Sequence, residues 1–265
     1  MTAHAATWAW DMVDEGPPDA AQSILLLPGG MCSARLFAEL MAEPALARAR
    51  RVAVTLPGHA GSKPPGNFST EEYARLAAEL ANKLAVSVVV GFSMGAMVAY
   101  EMAVSGGYAG PIVLLGASLS AADEPAFLRL IAGLGSLLGT LPAAAFKKAA
   151  GAMVGQTRIP SDRQSELKAD FARNDPRVMR QWLHAYIRWL QRDDNPAQRL
   201  CDAGNRTWVI HSEKGDGDLT QHERAVLEAC GHVQVITLPG KSFVLPIEES
   251  AAVARFVSEA LAPPR

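Results

Sequence analysis

The sequence predicts an α/β protein with a mostly parallel, doubly wound sheet and one helical insertion. Short apolar runs rich in branched residues alternate with stretches of helical periodicity along most of the chain. Uninterrupted apolar strands of this kind are typical of a parallel sheet that is buried on both faces. Regular strand–helix alternation is typical of doubly wound folds, in which ligands bind beyond the C-terminal ends of the strands.

The individual elements follow from these patterns. The apolar runs predict six strands, at residues 23–28, 51–57, 86–91, 111–116, 207–211 and 233–237. Helical patterns follow most of them, at residues 34–41, 70–84, 94–105, 221–229 and 248–261. The second helical pattern begins with the sequence of a capping box, because Ser69 at the N-cap is followed three residues later by Glu72.

The alternation stops once, in a long stretch that has helical patterns but no strand-like run. We therefore expect a core made of residues 1–118 and 201–265, with residues 119–200 as a helical cap over the ligand crevice. Three aromatic residues share one face of the last helical pattern in this stretch: Trp182, Tyr186 and Trp189. That face either packs the cap against the core or forms a wall of a substrate pocket.

Composition is that of an ordinary globular protein and argues against several classes of partner. The chain has 265 residues, 49% of them hydrophobic and 20% charged, and a formal net charge of −2. No block of lysine and arginine stands out, so we expect neither a nucleic acid nor an anionic membrane as partner. Arg129 and Pro142 interrupt the longest apolar stretch, which leaves too few continuous apolar residues for a membrane span.

Other simple features point to a cytoplasmic protein without a cofactor. The N-terminal residues show no basic region followed by an apolar run, so we expect no signal peptide. The chain has three cysteines, Cys32, Cys201 and Cys230. An odd number without close spacing argues against a disulfide framework and against a zinc site. No dinucleotide fingerprint and no cluster of metal-ligand residues occurs, so we expect no cofactor and no metal.

One motif carries chemistry, the sequence G-F-S-M-G at residues 91–95. It matches the nucleophile elbow G-x-S-x-G and has the strand–turn–helix context that this elbow requires. Its serine, Ser93, would sit on a sharp, strained turn, and the two glycines would allow the strand and the helix to pack closely. The positive N-terminal end of the helix would point at the site. The alternative is a purely structural glycine-rich turn.

With this motif, the chain resembles the α/β-hydrolase superfamily over nearly its full length, and in particular its small capped esterases, lactonases and proline-iminopeptidase-like members. Four further segments carry the resemblance: LLLPGGMCSARLF (25–37) to the oxyanion loop, TLPGHAGS (55–62) to the turn D-x-P-G-x-G-x-S, VIHSEKGDGDLT (209–220) to the acid loop, and LPGKSFVLPIEES (238–250) to the histidine loop. The second of these departs from the family pattern, with Thr55 where aspartate is usual and Ala60 where glycine is usual.

The resemblance implies a role for each matching residue. Ser93 would be the nucleophile, and the backbone N–H groups of Gly30 and Met94 would form an oxyanion hole that stabilises developing negative charge. The acid would be Asp216, which lies at the usual spacing of four or five residues beyond the strand. Asp218 is the alternative, because the neighbouring glycines leave the register of the loop open. The alternative for both residues is a solvated loop carboxylate without a catalytic role.

The resemblance breaks at the catalytic base. The last loop of the family commonly reads P-G-x-G-H-x-x-x-x-E, and here Pro239, Gly240 and Glu248 align without a gap while Phe243 falls on the histidine position. No histidine follows His232, so a shift of register does not supply one. A serine hydroxyl is a weak nucleophile until a base takes its proton. In an analogous triad, loss of the base costs about 10⁶ in rate.

Three other histidines are candidate substitutes for the base. His59 follows the second predicted strand at the ligand edge of the sheet, although P-G-H is also common in family members with a complete triad. His211 ends a predicted strand and is otherwise a buried histidine bound by backbone. His184 lies on the cap and is a candidate to face the pocket. Lys241, two residues before Phe243, would act as a base only if desolvated.

Three functions stay open at this point. The first is an enzyme of hydrolase descent that uses Ser93, the oxyanion hole and an atypical base on a small apolar ester, thioester or lactone. The second is a non-hydrolytic enzyme, such as a lyase, isomerase or cyclase, that keeps the pocket and the oxyanion hole. The third is a non-catalytic pseudoenzyme that binds a small apolar acyl or aromatic ligand. An engineered replacement of histidine is a further explanation of Phe243.

Overall fold

The structure is a computed structural model that describes residues 8–123, 141–155, 157–192, 195–213 and 219–263. Within these residues, one seven-stranded sheet is formed by Met12–Glu15 (β1), Ser23–Leu27 (β2), Arg50–Val54 (β3), Val88–Phe92 (β4), Ile112–Leu115 (β5), Thr207–Ser212 (β6) and Val233–Leu238 (β7). The strand order is β1-β3-β2-β4-β5-β6-β7. β1 pairs antiparallel with β3, and the other pairs are parallel. The mostly parallel α/β sheet predicted from the sequence is confirmed.

Ten α-helices flank this sheet in the described part of the chain. They are Ala38–Ala42 (α1), Thr70–Lys83 (α2), Met94–Val104 (α3), Leu141–Val154 (α4), Ser161–Ala172 (α5), Pro176–Leu190 (α6), Pro196–Ala203 (α7), Gln221–Glu228 (α8), Leu245–Glu248 (α9) and Ser250–Leu261 (α10). Two 3-10 helices, Ala34–Phe37 and Pro44–Leu46, precede and follow α1. Among these helices, none has the length and apolar character that a membrane crossing requires.

The sheet topology creates the crevice in which the site lies. Every residue of β2, β4 and β5 is buried, as expected for strands covered on both faces. From β2 the chain moves to β3 on one side and then returns to β4 on the other side. Such a topological switch point leaves a crevice at the C-terminal ends of the strands. Because Leu27 pairs with Gly91, the loops after β2 and β4 leave the sheet side by side.

The described chain between β5 and β6 contains the helices α4, α5, α6 and α7 and no strand. We call α4, α5 and α6, with the turns between them, the insertion. One contact of the insertion with the core involves Trp189 of α6. Its indole ring meets Tyr100 of α3 edge-on, with ring centroids 5.4 Å apart. Its Nε1–H donates to the buried carboxylate of Glu101 over 3.0 Å. Residues 124–140, which hold most of the longest apolar stretch, lie outside the described residues.

The edge strand β1 has no counterpart among the predicted strands. Three of its four residues, Met12, Asp14 and Glu15, are exposed, so the segment has no apolar run. It is ordered as a strand because it pairs with β3, from Met12 opposite Val54 to Glu15 opposite Arg51. An antiparallel edge strand that faces water carries a weaker sequence signal than a buried parallel strand.

The capping box predicted for α2 forms only in part. The Ser69 hydroxyl accepts the N–H of Glu72 at 3.2 Å, as the motif requires. The carboxylate of Glu72 does not complete the box and pairs instead with Arg75, one turn further along the helix. A complete capping box occurs at the start of α8, between Thr220 and Glu223.

The prediction that the cysteines form no disulfide framework is wrong for one pair. Cys201 at the end of α7 and Cys230 just after α8 form a disulfide, with their Cα atoms 5.9 Å apart. They are 29 residues apart in the sequence, and only the packing of α7 on α8 brings them together. Cys32 is a buried free thiol. Disulfides are rare in the cytoplasm, so this pair does not favour the predicted cytoplasmic location.

Candidate active site

Ser93 occupies a strained turn between β4 and α3. Its backbone dihedrals are φ +50° and ψ −117°, a conformation that residues other than glycine rarely adopt. The turn is fixed on both sides: the N–H of Ser93 donates to the carbonyl of Leu115 on β5 at 2.9 Å, and its own carbonyl accepts the N–H groups of Ala96 and Met97. The serine side chain therefore stands at the C-terminal edge of the sheet, directly before a helix N-terminus.

The two glycines of the motif are required by packing. A Cβ atom on Gly91 would collide with the carbonyl of Gly95, and a Cβ atom on Gly95 would collide with the carbonyl of Leu27. These are backbone atoms of the strand and the helix, which cannot turn away as a flexible side chain would. The spacing of glycines in the motif thus follows from the close approach of β2, β4 and α3.

The loop of residues 28–33, which follows β2 and which we call the oxyanion loop, lies against the serine. A Cβ atom built on Gly29 would be 3.4 Å from the Cβ atom of Ser93, and one built on Gly30 would be 3.7 Å from the sulfur of Met94. The N–H groups of Gly30 and Met94 donate to no other described residue. Both N–H groups thus have no acceptor in the described part of the chain, and the N-terminal dipole of α3 adds positive potential beside them.

A cavity of about 490 Å³ opens above Ser93, between the sheet edge and the insertion. Ser93, Met94 and the residues from Gly29 to Cys32 line the side towards the core. The insertion contributes an apolar wall: Phe146, Ala150, Leu167, Phe171, Trp182 and Tyr186. No charged side chain lines the cavity among the described residues. Of the aromatic face predicted on α6, two members therefore line the cavity, while Trp189 packs against the core.

Phe243 also lines this cavity, together with Ser93. Its backbone is held firmly: the N–H groups of Phe243 and Val244 both donate to one carboxylate oxygen of Glu248, at 2.7 and 2.8 Å. The ammonium group of Lys241 lies 4.6 Å from the centre of the Phe243 ring. The loop thus keeps a fixed frame around its aromatic ring, and Lys241, which is exposed, is not among the residues that line the cavity.

His59 is fully buried and is not among the cavity-lining residues. Its Nδ1 accepts the N–H of Met31 at 2.9 Å, so the ring proton is on Nε2, which lies 3.5 Å from the hydroxyl of Tyr73. The ring also packs on Trp182, with centroids 4.9 Å apart. Burial lowers the pKa of His59 to about 3. Its one basic nitrogen is therefore occupied by the oxyanion loop.

The other two histidines also do not line the cavity. His211 is buried at the end of β6, and its Nε2–H donates to the carbonyl of Ala117 at 2.8 Å. His184 lies on the exposed side of α6, opposite the face that carries Trp182 and Tyr186. Ser93, Gly30, Met94 and Phe243 thus line one cavity, and none of the three histidines is among its described lining residues.

The two candidate acids, Asp216 and Asp218, lie in residues 214–218, outside the described residues. Next to that gap is a carboxyl group that the sequence did not single out. Asp123 follows β5 and accepts the N–H groups of Leu119 and Ser120 at 2.8 Å each and that of Thr220 at 3.1 Å. Burial raises the pKa of Asp123 to about 7, and neighbouring Glu223 adds to the rise. No sequence motif marks this carboxyl group.

A strand–turn–helix elbow, a glycine loop packed on its serine and a cavity beneath a helical insertion define the class of protein. A family model described as alpha/beta hydrolase family matches residues 24–256. The chain therefore belongs to the alpha/beta hydrolase family. Of the described residues, no group of three or more His, Cys, Asp or Glu is placed to hold a metal ion.

Solved structures show the same fold. An enol-lactonase from Burkholderia xenovorans LB400 is similar with a TM-score of 0.74 and 16% identity, covering 95% of this chain and 96% of that one. A thermophilic esterase from Thermogutta terrifontis has a TM-score of 0.68 and 19% identity, covering 95% and 92%. A putative epoxide hydrolase from Pseudomonas aeruginosa has a TM-score of 0.70 and 22% identity, covering 95% and 93%. A search of curated proteins finds no match.

Proposed function

We propose that this protein is a hydrolase-type enzyme in which Ser93 is the nucleophile and the N–H groups of Gly30 and Met94 form the oxyanion hole. The observation that carries the proposal is the strained turn at Ser93, at the floor of the cavity. A strained backbone of this kind costs about 1–3 kcal/mol and is concentrated at functional sites. A glycine-rich turn with only a structural role would not need a serine in this conformation.

The substrate in this proposal is a small, neutral carboxylic ester, thioester or lactone with an apolar acyl group. A volume of about 490 Å³ suits a small organic molecule. The wall of phenylalanine, tryptophan and aliphatic side chains favours apolar groups, and no described lining residue would pair with a charge. The esterase and enol-lactonase among the similar structures fit this substrate class.

The reaction would proceed without the usual imidazole: Ser93 Oγ would attack the acyl carbon and lose its proton to water, the alcohol or thiol would leave, and water would then hydrolyse the acyl-enzyme. We assign the acid of the site to Asp216, with Asp218 as the alternative, but neither carboxylate has an imidazole at position 243 to orient. In an analogous triad that has lost its base, the oxyanion hole and substrate binding still retain about 10³–10⁴ over the reaction in water. We therefore infer a slow enzyme that favours activated acyl groups, because a weakly nucleophilic serine can still attack them.

We further propose that residues 119–200 act as a cap that controls access to Ser93. The described helices of the insertion line the cavity opposite Ser93 with apolar side chains, which supports a role for them in admitting the substrate. This division leaves residues 1–118 and 201–265 as the core that carries the nucleophile and the oxyanion loop.

A second candidate function is favoured by Phe243. Its side chain lines the same cavity as Ser93, in a loop frame that Glu248 holds in place and in which the resemblance expects the base. An apolar ring there suits binding of an apolar ligand, or a reaction such as elimination, isomerisation or cyclisation that needs charge stabilisation but no acyl-enzyme. In this case the oxyanion hole would bind a carbonyl oxygen and Ser93 would form no covalent bond.

Labelling with an alkyl fluorophosphonate separates the two candidates. The hydrolase proposal predicts covalent labelling of Ser93, read by peptide mass spectrometry, that disappears in Ser93→Ala. The matched control is Ser118→Ala, because Ser118 is a buried serine that lines the same cavity without standing on a strained turn. Labelling should persist in that control. A folded protein that shows no labelling would exclude a nucleophilic serine and leave the second candidate, which thermal stabilisation by apolar carbonyl ligands would then support.

A further inference from the structure

Both backbone polar groups of Met31, the residue after the proposed oxyanion donor Gly30, are hydrogen-bonded to side chains. Met31 has φ +69°, in the left-handed region that disfavours residues with a side chain. Its N–H donates to Nδ1 of His59 at 2.9 Å, and its carbonyl accepts Nδ2–H of Asn174 at 2.9 Å. Two buried side chains thus use both polar groups of one strained residue.

A second pair of bonds holds the loop two residues later. Both the N–H and the hydroxyl of Ser33 donate to the same carboxylate oxygen of Asp170, at 3.0 and 2.5 Å. The other oxygen of Asp170 is paired with Arg173. Ser33 and Asp170 are both buried, and hydrogen bonds to a charged group in a buried setting are among the stronger ones.

Both Asp170 and Asn174 belong to the insertion and not to the core. Asp170 is in the last turn of α5, and Asn174 follows two residues after the helix ends. Asn174 also accepts the N–H of Ala60 at 3.0 Å, so its one amide group joins the oxyanion loop to the loop that carries His59. Asn174 is 2% exposed, which leaves its polar groups no water to replace these bonds.

We propose that Asp170 and Asn174 are positioning residues that fix the oxyanion loop, so that the oxyanion hole is complete only when the insertion is docked. The inference rests on the proposed function. At its start the loop is fixed by β2, which leads into Pro28. At its end it is fixed by Asp170 and Asn174, together with His59. Gly30 lies between these two anchors, so the direction of its N–H depends on both.

The first test follows the loop itself and does not depend on catalysis. Amide hydrogen exchange, read by mass spectrometry on peptides that cover residues 28–34, should become faster in Asp170→Ala and in Asn174→Ala. Asp170→Asn keeps an oxygen that accepts from Ser33 and should restore most of the protection. Ser33→Ala removes only the hydroxyl bond to Asp170 and replaces the other variants as the test if Asp170→Ala and Asn174→Ala do not fold. Unchanged exchange in all of these variants would overturn the proposal.

The second test measures the rate at which an alkyl fluorophosphonate labels Ser93. The phosphoryl oxygen enters the oxyanion hole during this reaction, so a misplaced Gly30 N–H slows the bond-forming step. A displacement of about 1 Å costs about 10²-fold. We expect Asp170→Ala and Asn174→Ala to lose about 10- to 100-fold in the maximal labelling rate, with little change in the concentration of half-saturation, and Asp170→Asn to recover.

Arg163→Met is the matched control. Arg163 lies on the same helix as Asp170 and binds Glu39 of α1 and the carbonyl of Arg35, but it has no hydrogen bond to residues 28–33. It should label at the wild-type rate. An equal loss in this control would mean that the labelling rate does not depend specifically on the hydrogen bonds of Asp170 and Asn174 to the oxyanion loop, and their proposed positioning role would be refuted.

The outcomes also separate this inference from the proposed function. If wild-type Ser93 is not labelled at all, the hydrolase proposal fails, and the labelling test moves to a Phe243→His background with a restored base. If exchange at residues 28–34 rises in the variants while Ser93 labels at the wild-type rate, the proposed function stands and the positioning role is refuted.

Discussion

Replacing Phe243 by histidine tests whether a serine hydrolase site is complete except for its base. The loop around this position does not depend on the phenyl ring, because the backbone N–H groups of Phe243 and Val244 are held by Glu248. The hydroxyl of Ser242 is likewise held by Glu249 at 2.8 Å. The variant Phe243→His therefore changes the side chain in an existing frame and leaves the backbone where it is.

The expected gain exceeds the expected loss. A positioned general base contributes about 10²–10⁴ in rate, or roughly 3–5 kcal/mol of the activation barrier. On the other side, the variant loses the contact between Lys241 and the ring and part of the apolar surface buried in the cavity. Together these losses lower the free energy of unfolding by about 1–2 kcal/mol, which a globular core of this size tolerates.

The assay is hydrolysis of p-nitrophenyl esters with short and medium acyl chains. We expect Phe243→His to hydrolyse them about 10²–10⁴ times faster than the wild type. The gain should appear as the pH rises through about 6–7, where an unperturbed imidazole loses its proton and can act as a base. Phe243→Leu, which keeps an apolar side chain without a base, should show no gain, and adding Ser93→Ala to Phe243→His should abolish it.

The reasoning would be refuted by a folded Phe243→His variant, with a melting temperature near that of the wild type, that gains no activity dependent on Ser93. That result would mean either that residue 243 does not face the serine or that no carboxylate among residues 214–218 orients the imidazole. Adding Asp216→Asn or Asp218→Asn to an active Phe243→His variant would distinguish the two candidate acids by which change removes the gain.

Three further predictions concern stability. Burial lowers the pKa of His59 in the folded state, so its contribution to stability is fully present above pH 6.5 and is lost as the pH falls towards 3. By pH 4 the free energy of unfolding, measured with urea, should be about 3 kcal/mol lower for this reason. His59→Asn, which keeps an acceptor in the place of Nδ1, should lose that part of the pH dependence. Gly95→Ala should prevent folding or lower the free energy of unfolding by more than about 3 kcal/mol, because the new Cβ atom meets backbone atoms. Gly151 is also helical but has open space where a Cβ atom would lie, so Gly151→Ala should raise the free energy of unfolding by about 0.5–1 kcal/mol. Glu101→Ala leaves the buried N–H of Trp189 and the half-buried guanidinium of Arg192 without their carboxylate and should lower the free energy of unfolding by about 3–5 kcal/mol. Glu79→Ala, which breaks an exposed pair, should cost less than about 1 kcal/mol, and similar losses in the two variants would contradict the buried role of Glu101.

Local sequence patterns are enough to predict the parallel part of the sheet. β2, β4 and β5 are buried on both faces, so their apolar runs are continuous and each stands out from its neighbours in the sequence. The sequence does not predict β1, because this strand is ordered by its pairing with β3 and not by an apolar run of its own. The disulfide between Cys201 and Cys230 escapes for a similar reason, because it depends on how two helices pack.

The sequence by itself determined the residues of the proposed catalytic centre that belong to one short motif or loop. The motif G-x-S-x-G already predicts the close packing that requires Gly91 and Gly95, and the unbroken frame around Phe243 predicts that the usual base is missing there. Tertiary structure alone decided what surrounds them. The grip of Asp170 and Asn174 on the oxyanion loop joins residues more than 130 positions apart, 137 for Ser33 with Asp170 and 143 for Met31 with Asn174, and no local pattern encodes such contacts. The same holds for His59: its place after a predicted strand follows from the sequence, but its use as a buried acceptor for the N–H of Met31 follows only from how the loops pack.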